Sequence, residues 1–144
     1  MPSRDATTHW EGDLSSGKGH VTLDSSNAGQ FDVSFPTRSG NPDGQTSPEE
    51  LIAAAHSSCL AMNLSAVLAA EQLTARSIDV SAEVTLGPAK GGGFEISGIA
   101  ITLRADLPDV EAGRFAELAA TAERTCPVSK ALAGTTITLD AALA

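Results

Sequence analysis

Between Glu50 and Glu71 the chain carries no Asp, Glu, Lys or Arg. The stretch Leu51–Ala70 is built mainly of Ala and Leu, with His56, Ser57, Ser58, Asn63 and Ser65 set into it. Ser47-Pro48-Glu49-Glu50 comes just before it. A Ser at the N-cap, a Pro in the first turn and a Glu three residues after the Ser together signal a helix start. A long helix is therefore expected from Pro48 on. Its length would suffice for a membrane span. The polar residues inside it and the missing cationic flank argue instead for a core helix of a water-soluble protein, with no membrane partner. A helix with so little polar surface needs cover on more than one side. One sheet covers one side, and the same helix of a second copy is the economical cover for the rest, which predicts a homodimer.

The flanking segments read as strands. Thr8–Leu14, His20–Ser25 and Gln30–Phe35 precede the helix, separated by Gly/Ser/Asn turns. Pro36–Ser47 reads as a long Gly/Pro loop that carries Arg38. After the helix, Ile78, Val80, Ala82, Val84 and Leu86 share one strand face. In the next strand Phe94 and Ile96 hold one parity while Ile99, Ile101 and Leu103 hold the other, so a β-bulge is expected at Ser97-Gly98. Asp109–Thr125 reads as an amphipathic helix, broken at Cys126-Pro127, where a short helix begins and closes near Gly134. "TTITLDAAL" reads as a last strand. Strands clustered before and after one long helix predict an α+β fold, and residues 1–144 are expected to form a single domain.

With no Tyr, one Trp and four Phe, the core must be aliphatic. A net charge of −9 argues against nucleic acid or an anionic membrane surface as the main partner. No basic segment followed by an apolar run opens the chain, and two distant cysteines make no secreted disulfide framework. A reducing, cytoplasmic setting is expected, where paired cysteines are more often redox-active than structural.

Cys59 and Cys126 are the chemically interesting residues. A cysteine in an apolar helix is usually an inert small hydrophobe. Against that, His56, Ser57 and Ser58 precede Cys59, and Cys126 sits at a Pro-initiated helix start, where free N–H groups favour a thiolate. Zinc is disfavoured, because His9, His20, His56 and the cysteines lack paired ligand spacing. A Cys–His hydrolase would need an orienting group and an oxyanion site that nothing identifies. His56 is expected to be a helix histidine satisfied by a local hydrogen bond.

Three blocks carry a resemblance: "HWEGDLSSGKG" at His9–Gly19, "SPEELIAAAHSSCLAMNLS" at Ser47–Ser65 and "CPVSKALAGTTITLD" at Cys126–Asp140. Together they closely resemble the OsmC/Ohr family, the osmotically inducible protein C and organic hydroperoxide resistance proteins. The wording is nearer the OsmC branch, with Leu60 standing where an aromatic is common. The resemblance implies an intertwined α+β homodimer, strands flanking a long buried helix, with active sites at the subunit interface. It implies a thiol-dependent peroxidase. The apolar, Ala/Leu/Val-lined surroundings of Cys59 suit an organic hydroperoxide with a hydrocarbon tail, with hydrogen peroxide left open as an alternative substrate. Cys59 matches the peroxidatic cysteine, Cys126 the resolving one, Arg38 the arginine that contacts the thiolate, and Glu49 the carboxylate paired with that arginine. It implies no metal or bound cofactor, and an external dithiol reductant such as a lipoyl group. A straight helix rises ~15 Å between Glu49 and Cys59, so either Arg38 bridges them from the loop or the helix is irregular. The competing readings are a non-catalytic thiol redox sensor and a structural disulfide protein.

Overall fold

A computed structural model describes residues 1–144. The chain divides into two compact units, Met1–Leu51 and Ile52–Ala144. The architecture is α+β, with a long helix between two three-stranded sheets in chain order.

In the first unit β1 (Thr7–Glu11), β2 (Lys18–Thr22) and β3 (Gln30–Val33) form an antiparallel meander. The β1–β2 turn is closed by Asp13, whose carboxylate accepts from Ser16 N (2.7 Å) and whose carbonyl accepts from Gly17 N (2.9 Å). Trp10 stands opposite Gly19, where an added Cβ would come within 2.8 Å of the indole ring. Glycine is what lets that ring lie across β2.

The expected loop after β3 contains a helical turn, α1 (Phe35–Ser39). Ser34 is its N-cap, accepting from Thr37 N, and Pro36 lies in its first turn. Ser-Phe-Pro-Thr is thus a capped helix start in miniature, and Arg38 rides on this turn and not on an irregular loop.

The long helix α2 runs over Pro48–Ala70. Ser47 caps it by accepting from Glu50 N (3.1 Å). The return half of the capping box does not form, because the Glu50 carboxylate accepts from the Thr46 hydroxyl instead (2.6 Å).

In the second unit His56, Leu60, Leu64 and Leu68 form a buried row along α2 at spacings of four. Ala54, Ala55, Ser58, Met62, Ser65, Ala66 and Ala69 lie on its exposed side. β4 (Ser77–Pro88) and β5 (Phe94–Asp106) pair antiparallel, and β6 (Ile137–Leu143) joins the other edge of β5 in parallel. Thr85 pairs with Gly98 and Leu86 with Ile96, so Ser97 is the extra residue of a bulge at the expected place. The bulge turns Ile99, Ile101, Leu103 and Ala105 inward to the Leu row of α2.

α3 (Ala112–Thr125) buries Phe115, Leu118, Ala119 and Ala122 and packs against β6. It starts three residues later than expected, because Asp109 has a left-handed backbone (φ 62°) that no helix accommodates. α4 (Pro127–Ala131) follows directly.

Candidate active site

The break between α3 and α4 positions the first thiol. A residue before proline is pushed out of the helical region, and Cys126 takes φ −62°, ψ 123°. Its N–H still closes α3 on Glu123 O (3.2 Å), while Pro127 opens α4. The Cys126 side chain is fully buried.

The second thiol lies about three turns into α2. Cys59 is partly exposed at the floor of a hollow of about 220 Å³ lined by Met62, Asn63, Ala66 and Pro127. The two sulfurs are 3.1 Å apart, and both thiols are free.

Two hydrogen-bonded side chains, Asn63 and His56, one on either side of Cys59, fix this approach. One turn beyond it, the Asn63 amide donates to Ala122 O (2.6 Å) and to Thr125 Oγ1 (2.8 Å), satisfying the end of α3. One turn before it, His56 Nε2 lies 2.7 Å from Ser129 Oγ on α4. His56 is fully buried and its Nδ1 has no partner. The expected local hydrogen bond for His56 is therefore replaced by one to a residue distant in sequence. A helix interior already uses its nearby carbonyls, whereas the first turn of α4 offers a free hydroxyl. That contact also takes His56 away from a Cys–His pairing with Cys59.

The thiols differ electrostatically. Burial pushes Cys59 up; the Val128 N–H counters it, but sharing a proton with Cys126 adds to the rise. Burial acts on Cys126 in the same sense, yet the Ser129 N–H, Cys59, the Ser129 hydroxyl and the Val128 N–H together bring it below the ordinary cysteine value. Within this unit Cys126 is thus the easier of the two to ionise. Burial also holds His56 below the usual histidine value, outweighing the pull of Glu123.

The other two site residues pair within the first unit. Arg38 clamps Glu49 side-on: Nη2 donates to Oε1 (2.7 Å) and Nε to Oε2 (3.1 Å). Glu49 is buried, and Arg38 lines an apolar hollow of about 230 Å³ with Trp10, Leu14, Val33, Phe35 and Pro48. Burial alone would raise the Glu49 carboxyl, but the Arg38 hydrogen bonds reverse that and leave it below its ordinary value. The same hydrogen bonds raise Arg38 further above its already high value.

His9 and His20 are cross-strand neighbours on β1 and β2, with ring centroids 5.5 Å apart. No three His, Cys, Asp or Glu side chains converge as a metal site would require. α2 is long and apolar enough to cross a membrane by length and composition. Here its Leu row lies in the core cluster, and its His56 and Asn63 bond to α4 and α3.

Sequence reasoning overlooked Ser129 and Asn63. Ser129 had a readable signal, since Cys-Pro-Val-Ser places it at the position whose N–H faces back toward the capping residue. Asn63 had none, because its partners come from a helix distant in sequence.

An α+β frame holding two apposed free thiols defines the class. A family model for OsmC-like protein matches residues 40–140. Peroxiredoxin OsmC of Escherichia coli (strain K12) is 41% identical over 132 residues, covering 92% of this chain and 90% of that protein. The crystal structure of an organic hydroperoxide resistance protein from Elizabethkingia anophelis aligns with a TM-score of 0.82 at 26% identity, over 100% of this chain and 98% of that one. The organic hydroperoxide resistance protein OhrB of Bacillus subtilis aligns with a TM-score of 0.74 at 26% identity, over 97% and 98%. The chain belongs to the OsmC-like family.

Proposed function

We propose that this protein is a cysteine-based peroxidase that reduces organic hydroperoxides. The names of its relatives, peroxiredoxin OsmC and organic hydroperoxide resistance protein, support a peroxidase-type role. The observation that carries the reading is the 3.1 Å approach of two free thiols, one buried and one opening on a hollow.

Cys59, the partly exposed member, is the peroxidatic residue. Its thiolate attacks one peroxide oxygen; the O–O bond breaks, Cys59 becomes a sulfenic acid, and the alkoxide takes a proton to leave as an alcohol. Cys126 then attacks the Cys59 sulfur, forming the disulfide as the hydroxyl leaves as water. From 3.1 Å the sulfurs need close by only about 1 Å to reach a disulfide bond. An external dithiol, a lipoyl group among the candidates, returns both thiols. The chemistry calls on no metal or bound cofactor.

Burial and Cys126 both raise Cys59, so a cation is needed. We assign that role to Arg38 at a subunit interface. Lowering the thiol pKa by about two units raises the thiolate fraction by roughly an order of magnitude, but intrinsic nucleophilicity falls by a similar factor. The gain must come in the transition state, where charge passes from sulfur to the departing oxygen. A fixed guanidinium stabilises it there, and removing such a donor typically costs ~3–4 kcal/mol. Glu49 grips the Nε–Nη2 edge, which leaves Nη1 outside that pair for an anion.

The exposed apolar side of α2 supports a homodimer, since Met62 is 69% exposed beside a run of small apolar residues. We place the protein in the cytoplasm, where reductants of thiols are at hand. A titration with one equivalent of cumene hydroperoxide, followed by mass spectrometry, tests the reading. The expected products are one alcohol and one Cys59–Cys126 disulfide per chain. Unmodified cysteines and unconsumed peroxide would refute it.

A further inference from the structure

His56 and Ser129 are buried polar residues to which the proposed cycle gives no task. Their 2.7 Å contact joins α2 to α4 beside the thiol pair. The unpartnered Nδ1 decides which way the contact runs. If Nδ1 carried the proton, a buried N–H would be orphaned; if Nε2 carries it, only an acceptor is unpaired. Orphaned buried N–H groups are the rarer and costlier case. Neutral His56 therefore donates Nε2–H to Ser129 Oγ. A hydroxyl has one proton. With its oxygen accepting from His56, that proton is left to point elsewhere. Ser129 is buried in the first turn of α4, three residues after Cys126, which caps that helix, so a charge developing on the Cys126 sulfur is the nearby acceptor, and the hydroxyl helps to hold that thiol below its ordinary value.

We propose that Ser129, oriented by neutral His56, is a positioning residue that holds Cys126 as the thiolate for disulfide formation and as the leaving group when the disulfide is reduced. This rests on the resolving role assigned to Cys126 above. In the resting pair Cys126 makes no full cap hydrogen bond; such contacts tighten once charge develops. The bookkeeping is simple. The Cys126 proton is released on ionisation, the thiolate attacks the Cys59 sulfenic sulfur, the S–O bond breaks, and the departing hydroxide takes up a proton as water. Ser129 and His56 keep their protons throughout. The two sulfurs are thereby given different jobs by different donors: the hydroxyl serves Cys126 and the Arg38 charge is reserved for Cys59.

The titratable groups around this relay are few. Cys59 faces Cys126 from α2. Glu123 on α3 supplies the charge that His56 feels. Lys130 follows Ser129 on α4 with its side chain exposed.

The test reads the Cys126 pKa directly, by thiolate ultraviolet absorbance against pH, in a Cys59→Ser background that leaves one thiol. Adding Ser129→Ala should raise that pKa by about one unit, the worth of one hydrogen bond to a charged group. His56→Leu should raise it by less, because the hydroxyl remains but is no longer aimed. His56→Gln should restore it, since the amide N–H can stand in for Nε2–H. A purely structural role would not separate Leu from Gln in this readout. If Ser129→Ala does not fold, the Leu and Gln variants carry the test alone. An unchanged Cys126 pKa in folded Ser129→Ala, or equal values for the Leu and Gln variants, would overturn the proposal. Because no peroxide is used, the result stands apart from the peroxidase reading. With Cys59 restored, Ser129→Ala should then form its sulfenic acid at the normal rate after one equivalent of peroxide, but close the disulfide about tenfold more slowly near neutral pH. A normal closing rate would also overturn the proposal.

Discussion

The two compact units bury their apolar residues to very different extents. In Ile52–Ala144 the core is continuous: the Leu row of α2, the inward face of β5 and the buried face of α3 belong to one cluster. In Met1–Leu51 Val21 is the one buried hydrophobic residue, and Trp10, Leu14 and Phe31 are exposed. A three-stranded sheet needs an apolar face packed on something to be stable. The polar assets are divided as well. The thiol pair belongs to the well-packed unit, where burial tunes ionisation. The Arg38–Glu49 pair belongs to the sparsely packed one, where a bidentate ion pair takes over the positioning that a core would otherwise supply. The lesson is that a reactive sulfur needs rigid, dry surroundings, whereas a guanidinium can be aimed by one well-made partner.

The strongest break of this contrast is Cys59→Ser. It should abolish turnover of cumene hydroperoxide with excess dithiol while circular dichroism stays unchanged; full turnover would remove Cys59 from the nucleophile's role. Next, Phe115→Ala should cost ~3–5 kcal/mol in urea unfolding, because that ring is 1% exposed at the centre of the cluster. A cost below ~1 kcal/mol would mean the core is looser than drawn.

Arg38→Ala should lower turnover by roughly 10²–10³-fold, and Arg38→Lys nearly as much, since an ammonium is a single point charge without the planar fork that grips a carboxylate on one edge and faces an anion with another nitrogen. Glu49→Gln should lose less, on the order of tenfold, because the charge remains but is aimed poorly. Equal activity of Arg38→Lys and wild type would sink the bidentate argument.

Acid should weaken the protein modestly, through one group in each unit. The folded Glu49 value is depressed, so its contribution is complete above the unfolded carboxylate value and is lost as pH falls through the folded one. His56 is also depressed when folded. Its neutral burial becomes a liability as pH falls from the unfolded histidine value, about 6.5, toward the folded value. Both signs agree: stability rises with pH. Urea midpoints from about pH 7 down to about pH 5 should fall in wild type and fall less in His56→Gln; identical slopes would contradict the His56 contribution.

The smallest effect sharpens the comparison most. Phe31→Ala in the first unit should cost under ~1 kcal/mol at dilutions where the protein is a single chain, since that ring is already exposed. At concentrations that favour the homodimer the cost should grow, if the second copy covers the sheet. A cost independent of concentration would leave Phe31 outside any interface.

Much of this molecule was legible because it is local. Helix α2 announced itself through Ser47, Pro48 and an uncharged run, since capping and period act over a few residues. The bulge at Ser97 showed as a parity slip, because strand faces alternate strictly. The break at Cys126 followed from Pro127, which restricts its predecessor wherever the chain lies. The α1 turn under Arg38 was local too, and was missed because Gly and Pro nearby suggested a loop while Ser34 and Pro36 were already a cap and a first turn. What no local pattern determines is which side chains from separate elements meet. The 3.1 Å approach of Cys59 to Cys126, the His56–Ser129 contact and the Asn63 bonds to α3 all join α2 to residues far along the chain. Such contacts depend on how helices stack on a sheet, and many sequences share the periodicities that make the helices. The tertiary structure decided them, and with them which thiol lies buried and which lies open, because burial is a property of the packed whole and not of a residue's neighbours in sequence.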